Sequence, residues 1–173
     1  LVIGIDICED LWMPVPPSCY HAMASATVIA NLSASDETTG KDLYRRELVK
    51  NQSARLISGY IYADAGEGES STDLVFAGHN LIAENGSILS ETKRFENGMT
   101  ISEIDLGRLV SERRRMSTFT INDPETNGYE VAEFEFKNIC DTTLTRHFEK
   151  TPFVPNDKND RDRRCDEILN IQA

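Results

Sequence analysis

Cysteine pairs, long apolar runs and an excess of basic residues are all missing from this sequence. Its four cysteines (Cys8, Cys19, Cys140 and Cys165) stand too far apart for a C-x-x-C pair, and no histidine lies beside them at ligand spacing. That excludes a recognisable zinc module and gives no sign of a disulfide framework, so no metal is expected. Scattered thiols of this kind fit a reducing, cytoplasmic compartment best. No apolar stretch approaches the ~20 residues that a membrane span requires, and no secretory leader is read, so no membrane partner is expected. Basic residues number 18 against 29 acids, for a formal charge of −11, which speaks against a nucleic-acid partner and reads as solubility. Only one tryptophan, Trp12, is present.

What is present is concentrated at the start. Val2 to Ile7 is short, apolar and β-branched, the pattern of a strand buried on both faces. Cys8 follows at once, then Glu9, Asp10 and Trp12. A cysteine where a buried strand ends stands at the rim of the sheet, where open α/β sheets bind ligands; a small packed thiol is the other reading. Because the first residues read as a central strand, the sequence is expected to be the back part of a larger polypeptide.

The rest alternates. Pro14, Pro16 and Pro17 impose an extended loop, Ser18 is a candidate cap for a short helix, and Thr27–Leu32 reads as a second strand. A polar loop, 33–40, leaves the carboxyl end of that strand on the same rim as Cys8. Lys41 to Ser58 reads as one helix with Leu43, Tyr44, Leu48 and Leu56 inward, and Gly59–Ala63 as a third strand. This is the α/β alternation that builds parallel sheets. From Thr72 the rhythm is that of an antiparallel meander: Asp73–Phe76, Asn80–Ala83 and Ile88–Glu91, with Asn85-Gly86 as a hairpin signal. Thr100–Leu106 alternates like a strand with one wet face. Leu109–Met116 reads as a short helix whose Arg113-Arg114-Arg115 forms a solvated or acid-pairing face. Tyr129, Val131, Phe134 and Phe136 permit a further strand. Residues 156–170 read as a linker entering a helix that lacks its partner. Neither His21 nor His79 has a carboxylate or cysteine at ligand spacing, so neither is expected to serve as a triad histidine. Trp12 reads as core, and Cys19, Cys140 and Cys165 as structural.

The segment Gly4-Ile5-Asp6-Ile7-Cys8-Glu9-Asp10-Leu11-Trp12 resembles the nucleophile strand of the nitrilase, or carbon–nitrogen hydrolase, superfamily. Val15-Pro16-Pro17-Ser18, Ala30-Asn31-Leu32-Ser33-Ala34-Ser35, Gly40-Lys41, Tyr44-Arg45-Arg46, Gln52-Ser53-Ala54-Arg55, Tyr60-Ile61-Tyr62-Ala63, Gly68–Leu74, Glu84-Asn85-Gly86 and Arg94-Phe95 resemble the glutaminase domain of the glutamine-dependent NAD⁺ synthetases. Pro152–Pro155 and Cys165–Gln172 resemble that family's passage into its synthetase domain.

The resemblance implies an α/β fold, the C-terminal portion of a nitrilase-like α-β-β-α four-layer sandwich over residues 1–138. Residues 139–173 would be a linker and first helix leading to a synthetase domain outside this sequence. It implies a Glu-Lys-Cys glutaminase in which Cys8 is the nucleophile and the Glu9 backbone N–H serves the oxyanion. Ser35 and Lys41 would hold the α-amino and α-carboxylate region of glutamine; Lys41 stands where relatives carry arginine, which keeps the charge without the bidentate fork. An amide is a poor electrophile, so the chemistry asks for a thiolate and for preorganised oxyanion donors. The family's glutamate and lysine lie upstream of the nucleophile, so the 173 residues alone are expected to lack useful glutaminase or synthetase activity. ATP and Mg²⁺ belong to the synthetase domain, no cofactor is expected here, and a homo-oligomer is expected. Two alternatives stay open: another amidase of the superfamily, or a catalytically silent scaffold of the same fold.

Overall fold

The computed structural model describes residues 1–69, 72–122, 128–135, 143, 145–148, 150–151 and 153–173. The chain divides into two compact units, residues 1–143 and 144–173.

The first unit is a five-stranded sheet in sequential order: β1 (Ile3–Ile7), β2 (Val28–Ser33), β3 (Gly59–Asp64), β4 (Leu81–Glu84) and β5 (Ser87–Glu91). The first three strands run parallel and the last two antiparallel. Parallel neighbours need a crossover, which α1 (Pro17–Met23) and α2 (Lys41–Leu56) provide, whereas β4 and β5 close through Asn85-Gly86 with φ of 42° and 85°. Two successive positive φ values suit the twist of a tight hairpin, as that dipeptide predicts. Leu11, Ala22, Ile29, Val49, Leu56, Tyr60, Tyr62 and Leu81 form the core between the helices and one sheet face. Gly4 is where α1 comes close, since a Cβ there would lie 2.7 Å from the His21 Cβ.

Only one face of β1 is covered, which corrects the expectation of burial on both. Asp6, Asn31 and Tyr62 share a register row and are buried, whereas Ile5 and Ile7, one residue out of phase, are 61% and 66% exposed. The β-branched residues mark a strand made for two neighbouring layers, and the described residues supply one.

Other expectations also shift. Helix α1 starts at Pro17, whose fixed φ suits a first helical position, and Ser18 is buried inside it, accepting from Gln52 Nε2 at 3.1 Å. Helix α2 ends at Leu56, and its inward face is Arg45, Val49, Gln52, Ser53 and Leu56 while Leu43 and Tyr44 are exposed. Instead of a strand, Asp73–Phe76 contributes a single bridge, Phe76 to Asp36. No strand forms over 100–106 either; Ile104 caps the space above Gly59, and the Asp105 carboxylate accepts from Arg108 N at 2.9 Å to start α3 (Leu106–Arg115). Of the basic triplet, Arg113 is buried rather than solvated. It donates to the carbonyls of Leu56 (2.9 Å), Ile57 (3.0 Å) and Ala26 (2.7 Å), so it satisfies the bare C-terminal carbonyls of α2. Burial lowers its pKa to about 10. Residues 128–135 form no strand, and Phe136 and Cys140 lie outside the described residues.

The second unit holds α4 (Lys158–Gln172), capped by Asp157 accepting from Asp160 N at 3.0 Å, with none of its residues buried. Among the described residues no helix is long and apolar enough to cross a membrane.

Candidate active site at the end of the first strand

Strand β1 stops at Ile7, and Cys8 opens a 3₁₀ helix, Cys8–Trp12, with a φ of +48°. A left-handed conformation at a non-glycine residue costs on the order of 1–3 kcal/mol and persists where the surroundings enforce it. Here two contacts do so: the Asp10 carboxylate accepts from Ile7 N at 2.7 Å, and Asn31 Nδ2 donates to the Cys8 carbonyl at 3.3 Å. Asn31 also reaches the Tyr60 hydroxyl (3.4 Å), which donates to the buried Asp6 at 3.1 Å, so the strand end rests on a packed polar cluster. The sharp strand-to-helix turn lifts the sulfur out of the sheet, as nucleophile turns do. Cys8 is half-buried, and its sulfur accepts from Ser33 Oγ at 3.6 Å; Ser33 in turn lies 2.6 Å from the Tyr62 hydroxyl. Glu9 is exposed in the first turn of the 3₁₀ helix, where backbone N–H groups lack partners within the helix itself.

Ser35 is buried on the loop leaving β2, its backbone N–H donating to Asp64 Oδ1 at 3.0 Å. Burial raises the pKa of Tyr62, and its hydrogen bond with Ser33 opposes the rise. Lys41, the first residue of α2, donates to the Asp36 carbonyl (2.8 Å) and carboxylate (2.7 Å) and lies 5.4 Å from the centroid of the Trp12 ring. The lysine hydrogen bond and charge hold Asp36 below the usual carboxylate range. Trp12 is half-buried between Lys41 and Tyr44, whose ring centroid is 5.4 Å away. The structure therefore gathers the residues singled out from the sequence at one end of the parallel strands: Ser33, two residues before Ser35 on the chain, bonds the Cys8 sulfur, and Lys41 reaches the same turn through Trp12. Cys19, by contrast, receives Gln52 Nε2 at 3.4 Å inside the core, and Cys165 is exposed on α4.

Sequence reasoning missed the ionic cluster behind this loop. Arg45 is fully buried, its Nη1 donating to Glu37 Oε2 at 2.9 Å and to His79 Nδ1 at 3.0 Å, with Asp64 Oδ2 at 3.9 Å. An arginine only donates, so His79 Nδ1 accepts and its Nε2–H donates to Glu91 Oε1 at 2.7 Å. The carboxylate partner that spacing along the chain did not offer His79 arrives across the β4–β5 hairpin. Burial works against the Arg45 charge, yet Glu37 and Asp64 more than offset it, and the pKa is raised. Asp64 is pushed up by burial, opposed by the Ser35 amide and Arg45. A signal existed: Val49, Gln52 and Leu56 follow Arg45 at helical spacing, which places the arginine on their face. Among the described residues no group of three or more His, Cys, Asp and Glu could hold a metal ion. A cleft of about 990 Å³ runs along the outer edge of β1, lined by Gly4, His21 and Tyr129 rather than by Cys8. It reflects the uncovered strand, and the chemistry of the thiol weighs more than that volume.

No family model matches the chain. A glutamine-dependent NAD⁺ synthetase of Mycobacterium bovis is 42% identical over 182 residues, a match that takes in 99% of this chain and 26% of that protein. The chain thus spans about a quarter of the length of the curated relatives it matches. Among solved structures, the glutamine-dependent NAD⁺ synthetase of Acinetobacter baumannii superposes with a TM-score of 0.56 at 23% identity, over 62% of this chain and 20% of that one. Saccharomyces cerevisiae Nit3, a nitrilase-superfamily member, gives 0.55 at 21% identity, over 67% and 42%. These two likenesses show the fold, a nitrilase-like α/β domain, and along nearly every residue the sequence is similar to a portion of the glutamine-dependent NAD⁺ synthetases.

Proposed function

We propose that residues 1–138 carry the nucleophile side of a glutaminase site whose ammonia feeds the synthesis of NAD⁺. The Cys8 thiolate attacks the side-chain amide carbon of glutamine. The C–N bond breaks, ammonia leaves with a proton from the site, and a γ-glutamyl thioester remains. Water then cleaves the C–S bond and releases glutamate. The Glu9 backbone N–H faces the oxyanion formed in each step. Ser35 and Lys41 hold the amino-acid end of the substrate; an ammonium has three N–H donors, and Lys41 uses two of its own on Asp36. The general-base glutamate and the lysine of the site come from residues outside this sequence, which also supply the layer that covers Ile3, Ile5 and Ile7. Residues 139–173 lead to a synthetase domain of the same polypeptide. There ATP and Mg²⁺ activate the carboxylate of deamido-NAD⁺, and ammonia displaces the activated group to give the amide. The setting is a cytoplasmic homo-oligomer.

The observation that carries this reading is the thiol of Cys8, held in a strained turn at the sheet's carboxyl rim with a hydroxyl donor on its sulfur. The test is made on the intact protein, where glutamate release and NAD⁺ formation from glutamine, deamido-NAD⁺ and ATP are expected together. Hydrolysis of an amide with no ATP-dependent product would point to another amidase, and neither activity would point to a silent scaffold. A second expectation concerns Lys41. Lys41→Ala should raise the KM for glutamine about tenfold or more with a smaller change in kcat, and Lys41→Arg should stay within about threefold of the parent, because binding of the substrate carboxylate is common to ground and transition states. Steady-state kinetics at varied glutamine checks it, and an unchanged KM in Lys41→Ala would remove that residue from the site.

A further inference from the structure

Two hydroxyls stand in a row against the sulfur of Cys8. The Tyr62 oxygen is 2.6 Å from Ser33 Oγ, and Ser33 Oγ is 3.6 Å from Cys8 Sγ. The direction of the row follows from counting hydrogens. Each hydroxyl has one to give, and a sulfur that acts as a thiolate only accepts. Ser33 therefore spends its hydrogen on Cys8, which obliges Tyr62 to donate to Ser33. Burial keeps the Tyr62 phenol protonated over the working range of pH, so its donor is present throughout.

We infer that Ser33 is a catalytic residue of the thiol site and Tyr62 its positioning residue: the row Tyr62, Ser33 delivers one oriented hydrogen bond to the Cys8 sulfur. The proposal rests on the reading of Cys8 as the nucleophile and adds what holds that nucleophile charged. No proton changes owner; Ser33 keeps its hydrogen, and the bond favours the thiolate over the thiol and fixes the side-chain rotamer. A charge-assisted hydrogen bond is the stronger kind, so its removal is felt mainly in the charged form. Tyr62 on β3 pairs with Asn31 on β2, and Ser33 lies two residues further along β2, diagonally across from it, so strand register rather than loop conformation sets the Tyr62–Ser33 distance.

The test is the pH dependence of alkylation of Cys8 by iodoacetamide in the intact protein, read by peptide mapping so that Cys19 and Cys165 serve as internal references. Ser33→Ala is expected to move the midpoint of the Cys8 profile upward by about one pH unit and to lower kcat/KM for glutamine about tenfold. Ser33→Thr, which keeps the hydroxyl on a β-strand, is expected to restore both, and Tyr62→Phe to give an intermediate shift. Reference cysteines that keep their profiles show that the fold is retained. An unmoved Cys8 midpoint in Ser33→Ala, with the cysteine still reactive in the parent, would overturn the role of the row while leaving the nucleophile in place. A parent Cys8 that does not react at any pH would remove the nucleophile itself and the row with it.

Discussion

Replacing Cys8 by alanine in the intact protein is expected to cut glutamine-supported NAD⁺ formation by at least about a thousandfold while ammonia-supported formation stays within about twofold. The size follows from the division of labour: a nucleophile acts as a unit with its base, so deleting it removes the covalent route and leaves only what oxyanion donors and binding supply. The asymmetry follows from the chemistry. Ammonia added to solution bypasses the thioester and needs only the site that activates the carboxylate. The strained φ of +48° at Cys8 makes a further contribution legible, because alanine at the same position keeps the strain and loses the sulfur. Stability is therefore expected to be close to the parent's, and the loss is chemical. Equal loss with both nitrogen sources would instead mean that Cys8 matters to the assembly as a whole.

The largest effect on stability is expected from Arg45→Ala. Arg45 has no exposed surface, and it is held by Glu37 at 2.9 Å and His79 at 3.0 Å, with Asp64 at 3.9 Å. Truncation leaves the Asp64 carboxylate inside the fold without its cation and Glu37 with only the half-exposed Arg94 at 3.7 Å, and a broken buried pair costs roughly 3–5 kcal/mol. A domain with about 5–15 kcal/mol in hand is left marginal. Asp64 also accepts the Ser35 amide, so the loop that carries Ser35 is expected to loosen with it. Arg46, whose partner Glu91 lies at 2.9 Å with both side chains about a third exposed, is the control, with a cost below about 1 kcal/mol. Urea-dependent hydrogen exchange at the amides of α2 and β3 reports this unit inside a larger protein. Equal protection in Arg45→Ala and Arg46→Ala would contradict the account.

Much of the frame could be read from the chain because the signals were local. The β-branched runs at 2–7 and 27–32 mark parallel strands, Asn85-Gly86 marks its hairpin, and the order strand, helix, strand fixes the alternation. Cys8, Ser35 and Lys41 came from blocks of resemblance, whereas the contacts of Cys8 with Ser33 and of Lys41 with Trp12 were announced by no spacing. What stayed hidden shares one cause: partners from distant segments. Helix α2 turns Arg45 inward because Glu37, Asp64 and His79 wait there from a loop, a strand and a turn. Arg113 looks like a surface charge until the carbonyls at the end of α2, more than fifty residues earlier, take its hydrogens. Thr100–Leu106 alternates like a strand yet has no ladder to join, so its pattern goes into covering Gly59 with Ile104 and capping α3 with Asp105. Ser33 and Tyr62 gave no motif of their own; a serine and a tyrosine in strands are ordinary until register sets them diagonally across neighbouring strands.

The central claim is that one sulfur reacts with the side-chain amide carbon of glutamine. Its most direct test is labelling of the intact protein with a glutamine-shaped electrophile, followed by peptide mapping, with and without glutamine. The account predicts a single adduct on Cys8 that glutamine suppresses and Cys8→Ser abolishes. An adduct confined to Cys19, Cys140 or Cys165, or labelling of Cys8 that glutamine leaves untouched, would contradict it.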